Sequence, residues 1–278
     1  CTLRDGGYYN NWNFSKKFVE DYLKSIALSG IKIVEIGFRS VKITKIHGLC
    51  ADVTEKKISK LKIPKKLKLG AMINASDILS NNIKKDKFKK FLFPKNKTKL
   101  SFIRIACHFN EVEQILPYLK EIKNLNLKII LNLMQISEKS LKEIELKVRK
   151  ISKTNVQVLY FADSFGSLFP DDLNKIIKSI KKHWKKEIGF HAHDNMGNAQ
   201  NNIKKAVDNG VTWIDSTVKG MGRGAGNAKT ELIIDQFSKF MKNKIQFIPL
   251  NNLIEKRFNK LQNKFKWGEN YYYLLSGK

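Results

Sequence analysis

At 278 residues and 42% hydrophobic content, the chain can bury one large α/β core or two small ones; it holds no run of about 18 apolar residues that would span a membrane, and no signal-peptide pattern. The formal net charge of +28 rests on 53 Lys and Arg against 25 acids, yet only Arg4, Arg39, Arg104, Arg149, Arg223 and Arg257 are arginine. Lysines scattered over helices and loops, such as Lys84, Lys85, Lys87, Lys89 and Lys90, lack the planar fork used for base and phosphate readout, so the excess reads as a solvated surface rather than a nucleic-acid face.

The first strand-like run, 1–5, begins at Cys1 rather than Met, which suggests that a short piece precedes it. Further strand-like runs lie at 32–38, 67–73, 101–107, 127–133, 156–162, 187–191 and 211–216. They are continuously Ile, Val, Leu and Phe rather than alternating, as in parallel strands covered on both faces. Helical stretches separate them. The first, 15–29, opens on Ser15 and closes on Gly30; 52–60 and 75–82 are weaker; 111–123, 137–150, 170–182, 198–209 and 228–242 follow. Eight strands, each followed by a helix, predict an α/β fold of the (β/α)8 TIM-barrel type over residues 1–244. Residues 245–278 form a short C-terminal helical extension that ends in an aromatic cluster, Trp267 to Tyr273. A doubly wound open sheet is the runner-up, but it calls for a G-x-G-x-x-G turn after strand one, where this chain has Arg4-Asp5-Gly6-Gly7. Cys1, Cys50 and Cys107 have neither metal-type nor disulfide-type spacing, which predicts a reduced, cytoplasmic protein.

In such a barrel the chemistry sits at the C-terminal strand ends. Those ends read Arg4 and Asp5, Arg39, Asn74, His108, Asn132 and Gln135, Asp163 and Ser164, His191 and His193, and Thr217. A polar loop after every strand explains Asn74 or Thr217; it explains Arg4-Asp5 and His191-Ala192-His193 poorly. Alternate residues on a strand share a face, so both imidazoles can reach one ion. Asp5 would face them across the barrel mouth, and two His with one carboxylate leave open positions for a bidentate substrate. The loop Gly220-Met221-Gly222-Arg223-Gly224-Ala225-Gly226-Asn227 has two readings: a phosphate cradle, or a close backbone approach that presents Asn227.

Together these residues resemble the pyruvate carboxyltransferase or HMG-CoA-lyase-like superfamily of metal-dependent barrels. The resemblance rests on Thr2-Leu3-Arg4-Asp5-Gly6, Val34-Glu35-Ile36-Gly37-Phe38, Ala162-Asp163-Ser164, His191-Ala192-His193-Asp194-Asn195 and Gly222-x-Gly224-Ala225-Gly226-Asn227. It is nearest to the 4-hydroxy-2-oxovalerate aldolases. It implies a divalent metal, manganese or magnesium before zinc or cobalt, on Asp5, His191 and His193, with Asn227 as fourth ligand or orienter. It implies Arg4 as the group that stabilises an enolate, and a homodimer or a partner dehydrogenase. Where the aldolases carry a His two residues after the Asp-Gly pair, this chain has Tyr8, a poorer base at neutral pH.

The expected activity is aldol cleavage or formation of a carbon–carbon bond next to a 2-oxo acid, through a pyruvate-type enolate. His108, Tyr8 and Tyr271 are the candidate proton carriers. The rivals are a Claisen-type synthase joining an acyl-CoA to a 2-oxo acid, and a basic nucleic-acid-binding domain without catalysis. The expected partner is a small 2-oxo acid, with neither a specific nucleic acid nor a membrane. Amidohydrolase barrels also use H-x-H, but on strand one, where this chain carries Arg-Asp.

Overall fold

The computed structural model describes residues 1–40, 48–94, 98–122, 126–240, 245–269 and 271–276. Seven strands form one curled sheet in chain order: β1 Ile33–Phe38, β2 Lys68–Asn74, β3 Phe102–Cys107, β4 Lys128–Leu133, β5 Val158–Asp163, β6 Glu187–Ala192 and β7 Trp213–Ile214. Every neighbouring pair is parallel. All six positions of β3 and of β5 are buried, the two-sided burial that unbroken apolar runs anticipate. The helices are α1 Thr2–Asp5, α2 Lys16–Leu28, α3 Glu55–Ile58, α4 Ala75–Ser80, α5 Lys85–Leu92, α6 Val112–Glu121, α7 Leu141–Ile151, α8 Pro170–His183, α9 Ala199–Asp208 and α10 Thr230–Phe237. This is the expected TIM-barrel architecture.

One expected strand is absent as a strand. Residues 1–5 coil into α1, with the Arg4 and Asp5 amides donating to Cys1 O. On a strand, Arg4 and Asp5 would point to opposite faces; a helical turn keeps both side chains inside, where both are buried. This segment bridges the sheet's first and last strands. The Cys1 amine donates to Ser216 O at 3.0 Å, Val218 N donates to Thr2 Oγ1 at 3.1 Å, and Arg4 reaches Glu35 of β1. The run 211–216 contributes only Trp213 and Ile214 to the ladder.

Helix starts follow their caps. Ser15 Oγ accepts from Phe18 N, and Ser140 with Glu143 forms a reciprocal capping box at the start of α7. The extension continues as α11 Phe247–Leu253, a π turn at Ile254–Phe258, α12 Asn259–Phe265 and α13 Tyr271–Ser276. Its Leu250, Leu253, Ile254, Phe258 and Trp267 belong to the same hydrophobic cluster as the strands. It also grips the Gly-rich loop: Trp267 Nε1 donates to Lys219 O, and Gly268 N to Gly224 O. Among the described residues, no helix is long and apolar enough to cross a membrane.

Candidate active site

β6 ends in His191-Ala192 with His193 the next residue, and the two-residue strand period turns both rings the same way. Their Nε2 atoms are 3.3 Å apart. Asp5 Oδ2 lies 3.9 Å from His191 Nε2. Asn227 is brought to the same place by a bridge pairing with His193, and its Oδ1 and Nδ2 are both buried without a hydrogen-bond partner. A buried, unpartnered amide is costly unless something binds it. Two nitrogens each about 2.1 Å from one cation sit about 3.0–3.4 Å apart, depending on whether the site is octahedral or tetrahedral. The residues present therefore fit a divalent cation.

The ionisation states agree with that fit. Burial alone would raise the Asp5 carboxyl, but the Arg4 guanidinium beside it overcomes this and holds it below the usual range. Desolvation first, and then His191, push His193 down to about 3, so its ring is neutral and its lone pair is available. Among the described residues, the trio that brings one ligand atom each within 4.8 Å of the others is Cys1, His191 and Asp215. Its carboxylate is already committed: Asp215 accepts from both Arg104 Nη atoms, from Tyr160 OH at 3.1 Å, and sits 3.0 Å from His191 Nδ1. Asp215 thus fixes the His191 tautomer and leaves Nε2 to face Asp5 and His193.

Beneath these groups lies a layer of buried charge. Glu35 Oε1 accepts from Arg4 Nε at 2.7 Å, and its Oε2 lies 2.8 Å from Arg104 Nε. Arg4 Nη1 bonds Asp5. The Arg104 guanidinium stacks 3.9 Å over the Tyr160 ring. Two arginines, Arg4 and Arg104, therefore pair with three acids, Asp5, Glu35 and Asp215, away from water, as buried charges require partners. This layer also lines a 690 Å³ cavity at the opposite, N-terminal ends of the strands, which contains none of Asp5, His191 and His193. Arg104, Asp215, Glu35 and Tyr160 were not among the sequence-predicted site residues. The signal was present: a charge in the middle of a strand buried on both faces needs a partner.

The other described candidates have partners of their own. Tyr8 is 39% exposed, and its ring lies under the Arg223 guanidinium at 4.5 Å. His108 is half-buried at the end of β3, with Nδ1 2.9 Å from Gln135 Oε1. Gln135 adopts a left-handed backbone, φ 57°, and Ser164 Oγ accepts from its N–H. The Tyr271 side chain lies outside the described residues. Asp163 is fully buried, and its carboxylate accepts from Ser167 N and Leu168 N; it shapes the loop after β5.

The Gly-rich loop resolves its two readings in favour of close approach. Any Cβ at Gly222 would lie 2.5 Å from Asn227 Nδ2, and any Cβ at Gly226, φ +86°, would lie 2.1 Å from Gly220 O. Only glycines let this loop fold back and hold Asn227 beside His193.

Known proteins resemble this chain in sequence and fold. Over 239 residues, 86% of this chain and 69% of the relative, the sequence is 26% identical to a 4-hydroxy-2-oxovalerate aldolase of Geobacillus genomosp. 3. A Brevibacillus brevis enzyme of that name is 32% identical over 131 residues, 47% of this chain and only 38% of its own length. An oxaloacetate decarboxylase of Mycobacterium tuberculosis is 24% identical over 84% of this chain and 67% of the relative. Among solved structures, the N-terminal domain of a presumed aldolase from Bacteroides vulgatus superposes with TM-score 0.88 at 30% identity, over 100% of this chain and 90% of that one. The HMG-CoA lyase of Brucella melitensis shares the fold, with TM-score 0.73 at 13% identity over 94% and 96%. The HMGL-like family matches residues 1–246, from the Arg4-Asp5 turn through the His pair to the loop that holds Asn227, and the chain is an enzyme of that family.

Proposed function

We propose that this chain is a divalent-metal-dependent aldolase that cleaves or forms the carbon–carbon bond next to a 2-oxo acid, as the 4-hydroxy-2-oxovalerate aldolases do. The observation that carries the reading is the meeting of Asp5, the paired Nε2 atoms of His191 and His193, and the unpartnered amide of Asn227. These four residues would hold the cation, manganese or magnesium before zinc or cobalt. When bound, it supplies Lewis-acid polarisation of the 2-oxo group.

The chain's own groups do the rest. Arg4 is anchored through Nε to Glu35 and Nη1 to Asp5, while Nη2, 3.7 Å from Asp215, is the least committed donor for an enolate oxygen. In cleavage, the 4-hydroxyl proton passes to a base, the C3–C4 bond breaks, its electron pair stays on the pyruvate carbons as the enolate, and the aldehyde leaves. Protonation of C3 then gives pyruvate. His108 is the base favoured here: Gln135 Oε1 accepts from Nδ1 and leaves Nε2 as the basic nitrogen. Tyr8, held under Arg223, shapes the mouth. A second reading, decarboxylation of oxaloacetate, passes through the same enolate and draws support from the mycobacterial relative.

The test is metal analysis of the purified protein, followed by exchange of pyruvate methyl protons in D₂O and pyruvate release from 4-hydroxy-2-oxo acids and oxaloacetate. Metal-dependent exchange with release from the hydroxy acids supports the aldolase. Release from oxaloacetate alone selects the decarboxylase, and no exchange with any divalent metal sinks both.

A further inference from the structure

We propose that Tyr9 and Trp267 are positioning residues for the metal site: together they clamp the Gly-rich loop so that Asn227 faces the cation, and through them the C-terminal extension sets metal affinity. The inference rests on the metal-dependent reading above.

Asn227 does not aim itself. Both polar atoms of its side-chain amide are buried without a hydrogen-bond partner, so the amide points where the backbone puts it. That backbone is held by Asn227 N donating to Gly220 O at 3.0 Å and by the bridge to His193. The place of Asn227 therefore depends on the chain from Val218 onward, a 3-10 turn at Val218–Gly220 followed by irregular structure.

Groups from outside the loop stiffen it. Lys219 is left-handed, φ 55°, a conformation that a side chain disfavours and that its surroundings must enforce. They do so from both ends of the residue: its N–H donates to Glu231 Oε2 at 3.1 Å, and its O accepts from Trp267 Nε1 at 2.9 Å. The next residue, Gly220, is the one whose O receives Asn227 N. Tyr9 OH donates to Gly222 O at 2.6 Å, and Gly222 lies against the Asn227 amide itself. Gly268 N adds a third bond, to Gly224 O at 3.2 Å.

The two clamping side chains also brace each other. The Tyr9 ring stacks on Phe265 at 5.5 Å and lies 5.8 Å from buried Trp267. Tyr9 ends the short 3-10 turn that follows α1, four residues after Asp5. The clamp thus joins the segment that carries Asp5 to the loop that carries Asn227, and it does so through the extension.

The experiment titrates metal-stripped wild type, Tyr9→Phe, Trp267→Phe, Asn227→Ala and the two double variants with Mn(II), followed by electron paramagnetic resonance. Phenylalanine keeps an aromatic ring in each place and removes the polar bond to the loop. The result expected is a Kd weaker by about tenfold in each phenylalanine variant, the scale of a lost outer-sphere partner. Neither should weaken binding further when added to Asn227→Ala, because an effect exerted through one residue vanishes with it. Equal weakening in both backgrounds makes the clamp a general brace and overturns the proposal, as does an unchanged Kd in either phenylalanine variant or in Asn227→Ala. Should one phenylalanine variant fail to fold by circular dichroism, the other completes the cycle. Wild type that binds no divalent cation removes the metal reading and the clamp with it.

Discussion

His191 has different partners on its two nitrogens, and that asymmetry is the smallest unit of this site. Nδ1 faces Asp215, which Arg104 and Tyr160 hold in place, so Nε2 is directed at Asp5 and His193. Asp215→Asn keeps the shape but lets the amide rotate and weakens the hold on the ring; loss of such a partner lowers metal affinity about 10- to 100-fold. Titration with Mn(II), followed by electron paramagnetic resonance, reads that shift, and an unchanged Kd would make Asp215 purely structural. Arg104→Met should cost more in stability than in chemistry. It leaves Asp215 with only the more distant Arg4 Nη2, at 3.7 Å, and half of Glu35 without a counter-charge, and breaking a buried pair in this way costs about 3–5 kcal/mol. Urea denaturation with and without metal measures it.

At the scale of elements, the Gly-rich loop and the helix pairs carry separate burdens. Gly222→Ala puts a methyl group where the Asn227 amide sits, so the amide must leave. The expected outcome is a folded barrel by circular dichroism, with metal affinity reduced by at least about tenfold. Farther out, Glu113 of α6 accepts from Lys147 and Lys150 of α7 at 2.6 Å each. Slight desolvation would raise this carboxyl, but the two lysines draw it down to about 2 from 4.5. A depressed folded pKa means that the pair stabilises fully above the unfolded value and is lost as the pH falls from about 4.5 toward 2. The group is partly solvated, so the effect is that of a surface pair, about 0.2–1 kcal/mol. Glu113→Gln should therefore remove a small stability increment at pH 7 and none at pH 2, as thermal melts at the two pH values would reveal.

For the whole molecule, the +28 charge is the property that invites another function. Several lysines are already committed to acids, as in Lys128 with Glu187, Lys182 with Glu145 and Lys204 with Asp208. Binding to duplex DNA should be weak and salt-sensitive, with a Kd of about 10⁻⁴ to 10⁻⁶ M at physiological salt. Fluorescence anisotropy across a salt series tests this; a nanomolar, sequence-selective complex would defeat it.

The strands β1 to β6, the helices between them except α5 Lys85–Leu92, and the His-x-His end of β6 were legible from local pattern, because apolar runs and the two-residue strand period are properties of neighbours in sequence. The pairing of Asp5 with those histidines could be anticipated once the barrel was drawn, although the strand expected at 1–5 proved to be a helical turn. Only the tertiary structure decided what the charges inside the strands do. Glu35, Arg104 and Asp215 are 69 and 111 residues apart along the chain, and each looks misplaced in an apolar run until the sheet curls and brings them within 3 Å. It likewise decided between the two readings of the Gly-rich loop, since that choice depends on where Gly220 O and Asn227 lie in space. Local sequence encodes which face a residue takes; which charge it meets there depends on closing the chain on itself.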